Sequence, residues 1–503
     1  MYNLLVEPLI RVRLKDGTKT ALSLPAVLAG LSTGDVDAFL GLMRHQRHAW
    51  HAFLVQLAAI AMNQAGKTAP PKKEAEWRDL LKTLTREYKA DEPWSLVVEN
   101  VLMPAFMQPP VPEKSLDRAG FGKPSWFTDD LDILVTSKSH DVKMHRVRTP
   151  EVDHWSFALV TLQTCQGFLG AGNYGISRMN GGFASRPGLG FRHGHSWSEH
   201  FQRDVRVLLS SRSALLQGEW GYQKSRGTAL LWLEPWNGKT TLRVRDLDPF
   251  YIEICRRVRI VGAVSRLCFR AKPTKSARVE AKALKGNTGD SWTPVDVKRG
   301  AALTVSRNGF DYKKVREILL SGNFKLGGAL EIRSDDPVDG LSFHATALTR
   351  GQGKTEGLHE RAIPVPKNVR SMMLLPGQRE RLAKISQRRI EDASLLEQKV
   401  LWPSLSRLGL ASDWANRWSH ALDRRIDDIF FGELWNSVEE DEDHAREAWL
   451  RKIAEMGRET LRAAERAAPV PAARRFHAIA EAELMYEGTL RKRFPELYTK
   501  EGS

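Results

Sequence analysis

The run Arg350-Gly351-Gln352-Gly353-Lys354-Thr355 decides between two folds. It resembles a phosphate-binding loop, and such a loop would put an α/β nucleotide-binding domain in the middle of the chain. That loop reads Gly-x-x-x-x-Gly-Lys-Ser/Thr, and its first glycine lets the backbone curl so that successive N–H groups cradle phosphates. Here the first position is Leu348. A hydrophobic strand ending in a magnesium-holding acid should also follow. Pro364-Val365-Pro366 and long helical patterns follow instead. A nucleic-acid-dependent NTPase using Gly353-Lys354-Thr355 therefore stands only as the alternative function. What remains is a flexible, basic loop carrying a glutamine.

A chain of 503 residues exceeds what one core usually serves, so two or three domains are expected. Its 76 Lys and Arg against 60 Asp and Glu give a net charge of +16. That excess makes a polyanion the leading partner. Cys165, Cys255 and Cys268 are too few for a disulfide framework and lack Cys-x-x-Cys spacing, so buried thiols are expected. The opening residues carry no charged-then-apolar leader, which predicts a cytoplasmic protein. The longest apolar run, Phe53 to Met62, is too short for a membrane and reads as a buried helix.

The patterning predicts an α+β fold, a large mixed amino-terminal domain over 1–370 followed by a carboxy-terminal four-helix bundle over 371–503. Asn3 to Arg13 and the turn Asp16-Gly17 read as a strand and hairpin. Helical spacing runs from Asp35 to Met62 and again from about Trp155 to Gly167. The proline-rich stretch from Met103 to Lys123 reads as a surface loop. Short β-like runs occupy Thr228–Glu234, Lys239–Val244, Ala277–Ala283, Thr293–Val297 and Ala302–Val305. The bundle helices should break at Pro403, around Ser437 to Asp443, and at Pro469-Val470-Pro471.

Catalytic signatures are weak. His45, His48 and His51 stand three apart and read as a polar helix face, because metal ligation favours i, i+4 spacing. His193, His195, His200 and Asp204 come closer to a hydrolase metal set, yet nothing nearby completes the shell. No nucleophile elbow or Cys/His dyad is present. The expectation is therefore no enzyme, no metal and no cofactor.

Nucleic-acid features are better supplied. Asn180-Gly181-Gly182 lets backbone approach a ligand closely, since no Cβ intervenes and positive φ is permitted. Lys282 and Lys285 stand on a glycine-flanked loop suited to phosphate or minor-groove contact. Lys143-Met144-His145 lies in a third basic segment, with an apolar Met144 able to press on bases or sugars.

Together these motifs carry a resemblance. The opening Asn3-Leu4-Leu5-Val6-Glu7-Pro8-Leu9-Ile10-Arg11-Val12, the loop Met179-Asn180-Gly181-Gly182-Phe183, the loop Arg350-Gly351-Gln352-Gly353 and the terminal helices resemble the large subunit of type I-E CRISPR Cascade, the CasA family. The resemblance implies a non-catalytic subunit that recognises the protospacer-adjacent motif in double-stranded DNA, helps open the duplex for guide pairing, and recruits the helicase-nuclease. It implies the other Cascade subunits and the CRISPR RNA as partners. Residue by residue, Gly181 and Gly182 with Asn180 look like the family's glycine loop, and Lys285, or Lys282 beside it, looks like its minor-groove lysine. Lys143-Met144-His145 is similar to the loop contacting guide RNA and motif, and Gln352 to the duplex wedge, flanked by Arg350, Gly353 and Lys354. Some relatives carry a four-cysteine zinc site or a fused HNH nuclease, and this chain has the pattern of neither. Arg388, Arg389, Arg424 and Arg425 on the bundle's first two helices would guide the displaced strand.

Overall fold

The opening residues pair as their alternation demands. Strand β1 (Ile10–Leu14) runs antiparallel to β2 (Lys19–Leu22), with Ile10 opposite Leu22 and Arg13 opposite Lys19. Asp16 accepts from the Thr18 amide at 2.8 Å and Gly17 supplies the positive φ of the turn. Ile10 and Val12 are fully buried on one face. Ser23 then caps helix α1 (Leu24–Thr33), which has Pro25 in its first turn and Gly34 in the left-handed conformation after its last.

The helical spacing read from Asp35 is overturned at its start. Val36–Phe39 forms β3 on the free edge of β1, giving the order β2-β1-β3, and helix α2 (Arg47–Gln64) begins only at Arg47. The β1 edge offers backbone partners that local periodicity cannot register. Helix α2 is buried from His48 to Met62, as a helix apolar on most sides must be. Its Trp50 packs edge-on against Phe157 of helix α3 (Val152–Cys165), ring centroids 4.8 Å apart. Helix α4 (Trp197–Gln217) is capped by Ser196 and buries Phe201, Val205 and Leu208 in the same core.

The proline-rich stretch from Met103 is irregular, yet Pro104 to Val111 is buried, which corrects the expected surface loop. Two glutamines make this possible. The Gln108 amide donates to Leu96 and Phe106 carbonyls and accepts from Ile260 N–H, and Gln163 donates to the Met107 carbonyl. Buried main chain without such partners would cost about 1–3 kcal/mol per group.

The short β-like runs shrink to two or three residues each, at Thr228–Leu230, Leu242–Arg243, Val279–Glu280, Val295–Asp296 and Ala301–Ala302. The long pairings lie elsewhere. Strand β4 (Gly188–His193) pairs with β7 (Leu341–Gly351), which pairs in turn with β8 (Lys354–Pro364), and β5 (Arg257–Ala263) pairs with β6 (Arg266–Lys272). Strands β7 and β8 form a hairpin of eleven-residue strands. The computed structural model describes residues 2–132, 147–182, 184–263, 266–351 and 354–498, the side chains of 263, 354 and 355 excepted.

The chain divides into one unit of Met1–Phe310 with Asn323–Pro364, and a second of Asp311–Gly322 with Val365–Ser503. This differs from the expected boundary near 370, because helix α5 (Tyr312–Leu320) crosses into the second unit. There Tyr312 Oη and Lys313 Nζ donate to Asp423 at 2.9 and 2.8 Å, and Arg316 donates to the Ala383 carbonyl at 3.0 Å. The expected break at Pro403 does not occur. Helix α6 (Pro376–Leu396) continues through a π-helical turn, Glu397–Leu401, into α7 (Trp402–Ser406). A π-turn frees backbone groups from the regular ladder, so the missing Pro403 N–H breaks no α-helical bond there. The chain reverses at Gly409 and adds α8 (Ser412–Asn436), α9 (Glu442–Ala467) and α10 (Ala472–Arg493). The four long helices expected are thus present and α5 is added to them. No described helix is long and apolar enough to cross a membrane.

Candidate nucleic-acid interface

The loop after α3 is built as an exposed tip on a buried stem. Its two limbs approach so closely that a Cβ on Gly167 would lie 2.4 Å from the Ala184 carbonyl oxygen. Below the tip, Ser177, Arg178 and Met179 are buried. The Arg178 guanidinium lies 3.8 Å over the Tyr251 ring, donates to the Tyr251 carbonyl at 2.8 Å, and pairs with Glu253 at 3.4 Å. Glu253 also accepts from the Ser177 amide at 2.6 Å and hydroxyl at 2.8 Å. Burial raises the Glu253 pKa against the pull of Arg178. Asn180, Gly181 and Gly182 stand exposed above this stem, the glycines at φ +64 and +81 with open space on the side a Cβ would take.

The second loop meets the first. Lys282–Leu284 forms a 3₁₀ turn, and Lys285 follows at φ +49. A Cβ on Gly286 would fall 2.6 Å from the Met179 carbonyl carbon and 2.8 Å from the Asn180 nitrogen, so only glycine permits this seat. Lys282 and Lys285 remain exposed beside it. The bases of the two loops are joined by a buried ion pair. Arg186 Nε donates to Asp290 Oδ2 at 2.7 Å, a second guanidinium nitrogen donates to Oδ1, and Thr293 Oγ1 adds a bond to Oδ2 at 3.0 Å. Burial alone would raise the Asp290 pKa, but Arg186 outweighs it and holds the carboxylate below its ordinary range.

The same stem grips the β7–β8 hairpin. The Ser185 amide donates to the Leu348 carbonyl, and Leu348 N–H donates to Ser185 Oγ, both at 3.0 Å. Gly351 pairs with Lys354, and Gln352 and Gly353 lie outside the described residues. Lys354 opens a strand where a phosphate loop would start a helix. No helix amino terminus follows to converge N–H groups on a nucleotide, which removes the structural basis of the NTPase alternative.

Arg350 is half-buried at the bulge in β7, burial lowers its pKa to about 10, and its Nε and Nη1 find no acceptor among the described residues. Lys143, Met144 and His145 lie outside the described residues.

Two of the four bundle arginines are likewise committed. Arg389 is 3% exposed, donates to Ser437 Oγ and sits 5.3 Å from the Trp449 ring. Arg425 donates to the Met456 carbonyl, Thr460 and Glu459. Arg388 and Arg424 are the exposed pair. Arg389→Glu should therefore lower the melting temperature, whereas Arg388→Glu with Arg424→Glu should leave it within about 0.5 kcal/mol of stability. Thermal unfolding separates these outcomes.

The histidines are rearranged relative to expectation. His193 pairs with Glu199, while His200 and Asp204 meet His51, which the sequence placed on a polar face. His45, His48 and His51 are all buried side chains, His45 against Asp132. Donor atoms of His51, His200 and Asp204 lie within 4.8 Å of one another. The two imidazoles, however, stack at 3.5 Å with 6° between planes, so their lone pairs run parallel instead of converging. Asp204 is already supplied by His51 at 2.9 Å, Trp292 Nε1 at 2.7 Å and Arg203 at 3.3 Å. The cluster is complete as a hydrogen-bond network and does not fit a metal centre.

Burial lowers the pKa of His48, His51 and His200. The unfolded chain binds protons near pH 6.5 that the folded chain refuses, so stability is full above that pH and falls as pH drops below it. The expected loss is up to about 1.4 kcal/mol per pH unit for each histidine. Urea unfolding at pH 7.5 and 5.5 measures it, and equal stabilities would contradict neutral buried imidazoles. The three cysteines are buried, and burial pushes the Cys165 and Cys255 thiols up to about 11 and about 12.

Sequence reasoning found the exposed tips and missed their supports. Arg186 and Asp290 are 104 residues apart, and no local signal links such a pair. Residues 3–196 match the family model of CRISPR-associated protein Cse1. None of the curated proteins compared matches the chain in sequence. Among solved structures, Thermus thermophilus CasA (Cse1) is 16% identical, covers 98% of this chain and 99% of its own, and superposes with a TM-score of 0.62. Cse1 from Acidimicrobium ferrooxidans is 14% identical with 99% of both chains covered and a TM-score of 0.62. A chain of a CRISPR RNA-guided surveillance complex is 12% identical, covers 97% of this chain and 99% of its own, and gives a TM-score of 0.56. The sequence match over 3–196 and the shared fold over nearly the whole length bear out the resemblance to the Cse1 (CasA) family, the large subunits of type I-E CRISPR Cascade.

Proposed function

We propose that the chain is the non-catalytic Cascade subunit that reads the protospacer-adjacent motif in double-stranded DNA, helps open the duplex for guide-RNA pairing and recruits the helicase-nuclease. The observation that carries this reading is the seating of Gly286 against Met179 and Asn180, which presents Asn180, Gly181 and Gly182 beside Lys282 and Lys285 on one buried stem. Bare backbone and a lysine side by side suit the minor groove, where A·T and G·C are told apart only coarsely. A short, permissive motif is what such a pair can read, and the guide RNA reads the rest. The net charge of +16 supports binding to polyanionic DNA.

Gln352 is the proposed wedge, flanked in sequence by Arg350, Gly353 and Lys354, and Ser185 ties strand β7, which leads to it, to the motif-reading stem. Unstacking a base step costs a few kcal/mol, which contacts to neighbouring phosphates offset. Gln352→Ala should slow R-loop formation on linear targets about tenfold, equivalent to ~1.4 kcal/mol of barrier, with little change in motif binding. Arg388 and Arg424 are the proposed guides for the displaced strand, Arg389 and Arg425 being committed to packing. Lys143-Met144-His145 is the proposed contact to the guide RNA.

The test is duplex binding by Cascade assembled with wild-type chain or with Lys282→Ala and Lys285→Ala together. Weaker binding of motif-bearing duplex, with guide RNA and the other subunits still assembled, is expected. Unchanged preference for the motif would reject the assignment.

A further inference from the structure

A basic cleft of about 400 Å³ opens in the first unit, over the face of the β8-β7-β4 sheet that carries Arg192, His344 and Glu360. Its opposite wall is formed by the first turns of two long helices, α2 at Arg47 and α4 at Trp197. Gly188 makes the meeting possible, since a Cβ there would lie 2.2 Å from the His48 ring.

The charge inside is one-sided. Arg44, Arg47 and Arg192 line the cleft; Glu360 on the same sheet face is already bound to Arg44, and Asp204 lies behind His51 and His200. No hydrogen bond to the Arg192 side chain is found among the described residues, and burial lowers its pKa. His48, 6% exposed, leaves Nε2 without a partner. The stacked His51 and His200 are kept neutral by burial and each turns its Nε2 to Asp204, so they add no charge to the cleft. The amino termini of α2 and α4 bring further partial positive charge to the same space. Guanidinium groups match phosphate oxygens in geometry as well as charge. The volume suits a small ligand rather than a duplex.

We propose that this cleft binds the phosphate of a single nucleotide, either a free mononucleotide or the phosphorylated end of a nucleic-acid strand. The site is separate from the motif-reading loops, so its test is independent of theirs. Calorimetry on the full chain at 150 mM salt would compare 5′-AMP, inorganic phosphate, and one short oligonucleotide carrying a 5′-phosphate or a 5′-hydroxyl. Binding of 5′-AMP or of the 5′-phosphorylated strand is expected, weakened at least tenfold by Arg192→Gln and partly restored by Arg192→Lys. Tighter binding of 5′-AMP would identify a free nucleotide, and tighter binding of the phosphorylated strand a nucleic-acid end. If Arg192→Gln does not fold, the exposed Arg47→Gln serves in its place with the same expected loss. The proposal falls if neither phosphate ester binds, or if the substitution weakens 5′-hydroxyl and 5′-phosphate strands equally, as unspecific charge would.

Discussion

Replacing Gly181 with Asp is expected to raise the Kd of assembled Cascade for a motif-bearing duplex about thirtyfold, ~2 kcal/mol, while the melting temperature of the chain barely moves. Both halves follow from the loop. Gly181 has φ +64 and nothing within 4 Å of its would-be Cβ, so Asp, which tolerates that conformation, meets no clash in the free protein. In the proposed complex the same open space receives the duplex, where a carboxylate would meet phosphates and block close approach of the backbone. Gly181→Ala should cost less, because it adds bulk without charge. The Asp effect should shrink in high salt and the Ala effect should not. Band-shift titrations at two salt concentrations read both. Motif binding by Gly181→Asp equal to wild type would remove this loop from the interface.

Arg186→Met is expected to destabilise the first unit by about 3–5 kcal/mol, because it leaves Asp290 buried and unpaired. The side chains of the pair are 1% and 3% exposed. Adding Asp290→Leu should recover much of that stability, since an apolar pair no longer buries a lone charge. Motif binding should not return with it. The pair holds the base of the Asn180 loop to the base of the Lys285 loop, and its fixed fork sets their spacing. Urea unfolding of the single and double variants, with duplex binding measured on the double, tests this. A double variant that binds like wild type would show that spacing does not depend on the ion pair.

What was legible in the sequence was local. Turn chemistry at Asp16-Gly17 and the long amphipathic runs after residue 375 each declare themselves within a few residues. The failures share one cause. Val36–Phe39 became a strand because β1 had a free edge, Pro104 to Val111 went inside because Gln108 and Gln163 answer its backbone, and Arg389 was buried by partners elsewhere in the chain. Each outcome is set by a group tens or hundreds of residues away.

Composition and spacing alone determined an α+β chain with a helical end, an excess of positive charge, and the glycine and lysine tips proposed to touch DNA. The tertiary structure alone decided that these tips share one stem, that Arg389 lies inside, and that Arg44, Arg47 and Arg192 gather at one cleft. The division has a physical reason. Turns, caps and amphipathic periods are short-range properties of the backbone, whereas burial and charge pairing depend on which distant segments the closed core brings within a few ångströms.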